Sequence, residues 1–171
     1  MLGLIGWAGR LECRAWVTDI VLGVSLHPLR RAGQADLENL VVLAKEYCDA
    51  DGHLFDEQLV RSGFGPLLDT DDHGVVWMLD NRVGRCVGYA VVTWSWSIES
   101  GGREGLLDEI YVSERDAGIG SAAVEAILAD CRDRGLPRLF LETETANEGA
   151  RRLYLRHGFA VEDSIWMTRD L

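Results

Sequence analysis

The chain has 171 residues, 47 % apolar and 26 % charged, with 17 basic against 28 acidic side chains and a formal net charge of −11. That balance argues against nucleic acid, whose binding rests on cation-to-phosphate contacts, and is compatible with a cationic substrate. The length suits one domain with a sizeable core. No apolar run reaches the roughly 20 residues of a membrane span, so no membrane partner is expected. Cys13, Cys48, Cys86 and Cys131 are scattered, form no Cys-x-x-Cys and have no His at ligand spacing. They read as reduced thiols of a cytoplasmic protein with no metal site.

Residues 1–23 carry Leu2, Leu4, Ile5, Trp7 and Trp16, interrupted by Arg10, Glu12, Arg14 and Asp19. The segment lacks the basic start and small-residue cleavage site of a secretory signal. A peripheral extension, a dimer contact and a start codon placed too far upstream fit it equally. The single domain then spans residues 24–171. It opens with a short strand over 24–29. Asp36 is positioned to cap a helix running to about Cys48, with Leu37, Leu40, Val41 and Ala44 on one face. A second helix follows from about Asp56, and Gly63, Gly65 and Pro66 predict an irregular later part. His53 and His73 fall in turn-like, solvated segments.

The period then changes. Residues 74–79 form a dense apolar run, Asn81-Arg82-Val83-Gly84 a turn, and residues 85–98 a long strand, with Gly88 as a bulge or close-approach point. After a turn at 99–103, residues 104–112 make the third strand of an antiparallel meander. A helix runs to Arg134 and ends at Gly135 and Pro137. Residues 138–142 return as a strand, which implies a parallel pair with a right-handed crossover. Asn147 caps a helix through about His157, Gly158 stops it, and residues 159–169 are expected to close the chain as a strand. The fold class is α+β: a mostly antiparallel, twisted mixed sheet with a central βαβ unit flanked by helices.

The stretch from Leu106 to Ala122 is the candidate site. Ile110, Tyr111 and Val112 have the branched or aromatic side chains of a strand. Gly118 and Gly120 bracket a turn, and Ala123, Val124, Ile127, Leu128 and Cys131 then recur at helical spacing. The free N–H groups at the start of that helix, with the positive end of its dipole behind them, make a phosphate or pyrophosphate site. Arg115 adds a fixed charge.

Arg115-x-x-Gly118-x-Gly120 after an acidic strand resembles the Arg/Gln-x-x-Gly-x-Gly/Ala signature of the GNAT superfamily of acyl-CoA N-acyltransferases. Asn147-x-x-Ala150-x-x-Leu153-Tyr154, followed by Gly158-Phe159, is similar to the second motif of that superfamily. The element order from residue 24 onward also matches, and residues 98–112 look like bacterial members whose substrate is often unassigned. One departure is that only Ser113 and Glu114 separate Val112 from Arg115, where many members have four residues.

The resemblance implies transfer of an acetyl group from acetyl-CoA to a primary amine of a small molecule or a protein, without a metal. It implies pyrophosphate donors from Arg115, Asp116, Ala117, Gly118, Ile119, Gly120, Ser121 and Ala122. A backbone N–H among Ile110, Tyr111 and Val112 would face the thioester carbonyl. Asn147 would hydrogen-bond the pantetheine arm, Arg151 could reach a CoA phosphate, and Tyr154 stands where the family places its phenolic acid. Asp108 and Glu109 are the candidate bases. Neighbouring strand residues face opposite sides, so one of them faces the cleft; Glu109 is preferred, and a bulge would reverse the choice. Trp94 and Trp96, two apart on one face, would suit a cationic amine as a wall and suit ordinary core packing as well. A homodimer is compatible with the resemblance. Two other readings stay open: a non-catalytic acyl-CoA-binding module on the same fold, and a dinucleotide enzyme using Gly118-x-Gly120-x-x-Ala123 with Glu142 as the ribose-binding acid.

Overall fold

The computed structural model describes residues 29–114 and 118–170. The expected extension over 1–23, nearly all of the first expected strand, and Arg115, Asp116 and Ala117 lie outside the described residues. Among the described residues five strands form one sheet in the order β1-β2-β3-β4-β5: β1 Leu29–Arg31, β2 Gly74–Asp80, β3 Cys86–Ser97, β4 Gly102–Val112 and β5 Leu139–Leu141. The first three pairings are antiparallel and β4–β5 is parallel. The helices are α1 Leu37–Asp51, α2 Glu57–Asp69, α3 Ile119–Asp133 and α4 Glu148–Arg156.

The dense apolar pattern of β2 and β3 follows from burial on both faces. Val76, Met78, Tyr89 and Val91 pack with Leu40, Leu43, Phe64 and Leu68 of α1 and α2. Val75, Trp77, Ala90, Val92 and Leu107 pack on the other face with Val124 and Ile127 of α3 and Tyr154 of α4. Gly88 is a close-approach point, because a Cβ there would sit 2.1 Å from the Tyr111 carbonyl oxygen.

Three local expectations are corrected. Asp36 precedes α1 but makes no side-chain bond to that helix. Its carboxylate instead takes both Arg30 guanidinium nitrogens, at 2.9 and 2.7 Å, and the Gly33 N–H at 2.9 Å. Arg30, through that hydrogen bond, holds the Asp36 carboxyl below the usual range. Next, α2 is continuous through Gly63, Gly65 and Pro66. Burial of Phe64 and Leu68 outweighs the single N–H that proline withholds, and Asp56 caps the start by accepting from Gln58 and Leu59. Finally, residues 159–170 contain no strand. Phe159 turns back edge-on to Tyr154, 5.7 Å between ring centres, and Val161, Ile165 and Met167 stand exposed. Their alternation has no sheet face against which to bury.

Candidate active site

The site arises where β4 changes partner and direction. β4 pairs with β5 only from Gly105 to Leu107. Against β3, Leu107 lies opposite Val92 but Glu109 lies opposite Val91, so Asp108 is the extra residue of a β-bulge. The bulge turns Glu109 onto the α1/α2 face with Tyr89 and Val91, while Ile110 packs toward Ala123 and Ile119 of α3. β4 continues to Val112, past the end of its pairing with β5 at Leu107.

Glu109 is half-buried and accepts a 2.7 Å hydrogen bond from the Tyr89 hydroxyl. Burial pushes its carboxyl upward, the Tyr89 bond opposes this, and the Asp108 charge adds to the rise. Asp108 itself lies at the surface, though loss of part of its water also raises it. Tyr47 of α1 stands close enough to feel Glu109. Burial first, then Asp51 and Glu109, push its phenol up to about 12. Tyr111, beside Tyr47 at 6.1 Å and Tyr89 at 6.4 Å between ring centres, donates its hydroxyl to Glu46 at 3.3 Å. Three residues around Glu109, namely Tyr47, Tyr89 and Glu46, were not singled out from the sequence. Their only signal was position: Tyr89 sits on the strand paired with the acidic one, and the others are on the helix covering it.

The turn into α3 is anchored from behind. The Ser113 N–H and hydroxyl both bond the Val87 carbonyl, at 2.8 and 2.9 Å. Glu114 takes the Asn81 amide at 3.2 Å and pairs with Arg85. The short connection before residue 115 is thus tied to the β2–β3 turn. Gly118 starts α3 with a left-handed backbone, φ 76°, which side chains resist. No side chain caps α3 and its first turn holds no acidic residue, whereas α1, α2 and α4 carry Glu38, Glu57 and Glu148 there. Among the described residues no side-chain carboxylate caps its leading N–H groups, which carry the positive end of the helix dipole. Ile119 is buried, Gly120 and Ser121 are half-buried and Ala122 is exposed. The Ser121 hydroxyl lies 2.8 Å from Nε2 of His157, which joins the start of α3 to the end of α4.

On α4, Asn147 caps the helix through Oδ1, which accepts from Ala150 at 3.1 Å. Asn147 itself is solvent-exposed. Arg151 bonds the Thr145 carbonyl at 3.1 Å. Tyr154 is 9 % exposed, and burial raises its phenol, which keeps it protonated at neutral pH. It lines a cavity of about 1060 Å³ with Leu141, Thr143, Arg151, His157 and Trp166.

Trp94 and Trp96 are not brought to Glu109. They lie toward the β3–β4 hairpin end. The Trp94 ring meets the chain's own cations, Arg103 at 5.9 Å and Arg134 at 5.5 Å, and its indole N–H bonds the Asp71 carbonyl at 2.8 Å. Trp96 is solvent-exposed.

A parallel strand pair whose pairing ends beside a glycine-led helix start, inside an otherwise antiparallel sheet, fits an acyl-CoA-dependent N-acyltransferase and not a dinucleotide enzyme, which needs successive parallel strands. The chain belongs to the acetyltransferase (GNAT) family, whose model matches residues 36–159. A mycothiol acetyltransferase of Thermobispora bispora is 35 % identical over 91 residues, a match spanning 48 % of this chain and 29 % of that protein. An integron cassette protein from the mobile metagenome of Cole Harbour Salt Marsh superposes with a TM-score of 0.75 at 29 % identity, covering 84 % of this chain and 90 % of that one. A Clostridium acetobutylicum protein crystallised with acetyl-CoA shares the fold, with a TM-score of 0.69 at 18 % identity over 83 % of this chain and 94 % of its own.

Proposed function

We propose that the protein transfers an acetyl group from acetyl-CoA to a primary amine by direct attack, with Glu109 as general base and Tyr154 as general acid. The observation that carries this reading is the coincidence on β4: pairing with β5 ends at Leu107 and the bulge that turns Glu109 inward follows at the next residue. The end of the β4–β5 pairing and the half-buried carboxylate thus fall side by side.

The residues suit acetyl-CoA. The start of α3 offers N–H donors to a diphosphate, β4 past the end of its pairing with β5 offers strand-like pairing to pantetheine amides, and the Asn147 amide is available to the same arm. The thioester supplies an electrophilic carbonyl and a thiolate leaving group. Glu109, made more basic by burial, takes a proton from the incoming ammonium. The neutral nitrogen then forms the N–C bond as the C–S bond breaks. A backbone N–H of residues 110–112 stabilises the charge that develops on the carbonyl oxygen, and the Tyr154 hydroxyl protonates the departing sulfur. The acceptor approaches on the α1 side, past Tyr47, Tyr111 and Glu46, which favours a cationic amine on a small molecule or a peptide.

Thiol release from acetyl-CoA with a panel of small amines and peptides tests the reading, and acetyl-CoA binding without turnover against every acceptor would favour the binding-module alternative. Tyr154→Phe is expected to lower kcat roughly 100-fold or more with acetyl-CoA affinity within about twofold, consistent with loss of one proton donor; full activity would remove Tyr154 from proton transfer. At Gly120 a Cβ would find its nearest neighbour, Leu153 Cδ2, at 3.8 Å, so the fold tolerates a side chain. Gly120→Val is therefore expected to keep its melting temperature while losing at least about tenfold in acetyl-CoA affinity, or roughly 1.4 kcal/mol. Unchanged affinity by calorimetry would count against the phosphate assignment.

A further inference from the structure

We propose that Tyr89 is a positioning residue for the general base: its buried hydroxyl holds one oxygen of Glu109 and leaves the other for the acceptor amine. The inference rests on the assignment of Glu109 as base and extends it to a residue one strand away.

The geometry is specific. The Tyr89 hydroxyl donates to Glu109 Oε2 at 2.7 Å. Tyr89 is fully buried, with Phe64 edge-on at 5.7 Å and Tyr111 at 6.4 Å between ring centres. Such a ring has no space to swing away. The bulge at Asp108 makes Glu109 the diagonal cross-strand neighbour of Tyr89, which faces Tyr111 directly. A flexible carboxylate is thus pinned by a rigid donor, and Oε1 is presented at a fixed angle. A carboxylate whose geometry is set before the amine arrives avoids the cost of ordering it during the reaction.

The ionisable groups facing Glu109 are Tyr89 on β3, Asp108 on β4, and Tyr47 and Cys48 on α1; α2 contributes the apolar Phe64 against Tyr89. Among them Tyr89 is the one whose bond favours the ionised carboxylate, against burial and Asp108. Removing that hydroxyl leaves the opposing influences in place, so the Glu109 carboxyl must rise and a higher pH is needed to ionise it.

The test compares kcat/KM for the acceptor as a function of pH in the wild type, Tyr89→Phe and Glu109→Gln. The expected result is loss of the acid limb in Glu109→Gln. In Tyr89→Phe the limb should move up by about one pH unit, with the high-pH plateau lowered severalfold and acetyl-CoA affinity unchanged. Site-specific 3-fluorotyrosine at position 89, a stronger donor of the same shape, should move the limb the other way. It also secures the test should the phenylalanine variant fold poorly. An acid limb that disappears in Glu109→Gln but stays put in both position-89 variants would overturn the role of Tyr89 alone. Full rate and an intact limb in Glu109→Gln would overturn the base assignment and the role of Tyr89 with it.

Discussion

Glu109→Gln is expected to lower kcat by roughly a hundred- to ten-thousandfold, the range for loss of a positioned general base, while acetyl-CoA affinity changes less than about threefold. Glutamine keeps the shape and still accepts the Tyr89 hydroxyl through its carbonyl, so the 2.7 Å contact survives. It cannot take a proton. The effect should therefore appear in turnover and in the acid limb, and not in folding or cofactor binding. Burial raises the Glu109 carboxyl, which brings its basicity nearer that of the amine it must deprotonate; an exposed carboxylate would be the weaker base. The parallel variant Asp108→Asn is the internal comparison. Asp108 lies outward at the bulge, so its loss should cost less than about fivefold, and because the nearby charge disappears the acid limb should drift slightly down. Equal losses from both variants in thiol-release assays would mean that the bulge does not separate the two roles.

The bulge also explains what sequence could and could not reveal. The four helices and the meander were legible because long amphipathic or doubly buried segments carry strong periodicity. The start of α3 was legible because glycines punctuate the passage from strand to helix, and Gly118 takes a left-handed backbone there. Register was not. Counting back from the β3–β4 turn without an inserted residue sets Glu109 opposite Ala90, on the α3 face. The inserted Asp108 moves it opposite Val91, on the α1 face. One extra residue thus changes which helices cover the candidate base. Tyr89 went unnoticed for a related reason: in a strand buried on both faces, a tyrosine reads as one more core side chain. The closing strand expected over 159–169 does not form, because an apolar-rich segment does not by itself supply a pairing partner. The two tryptophans illustrate the same limit, since their spacing placed them on one face but said nothing of the two arginines that occupy Trp94.

Two glycine substitutions separate backbone crowding from side-chain crowding in the strands that carry the site. Gly88→Ala is expected to cost at least about 3 kcal/mol, the upper part of the overpacking range, and to lower Tm by roughly 6–12 °C for a chain of this size. The added Cβ would lie 2.1 Å from the Tyr111 carbonyl oxygen and 3.1 Å from the Val112 Cα. Those are ladder atoms of β4, and they cannot retreat without breaking the last pairing of β3 with β4, Gly88 with Val112. Gly105→Ala meets the end of Leu139 at 2.8 Å, with Leu136 and Val92 methyls at 3.4 Å. A leucine methyl can rotate aside, so the expected cost is about 1 kcal/mol and a Tm within roughly 4 °C of wild type. The consequences for activity should diverge further than the stabilities. Displacing Tyr111 also shifts Glu109, two residues earlier on the same strand, against its fixed partner Tyr89, so residual folded Gly88→Ala should turn over poorly even well below its Tm. Gly105→Ala crowds the start of the β4–β5 pair, ahead of the point where the strands separate, and should retain near-normal kcat. Thermal melts with thiol-release assays at 15 °C decide the matter, and a Gly88→Ala protein melting within about 2 °C of wild type would show that β4 yields where the β3–β4 packing says it cannot.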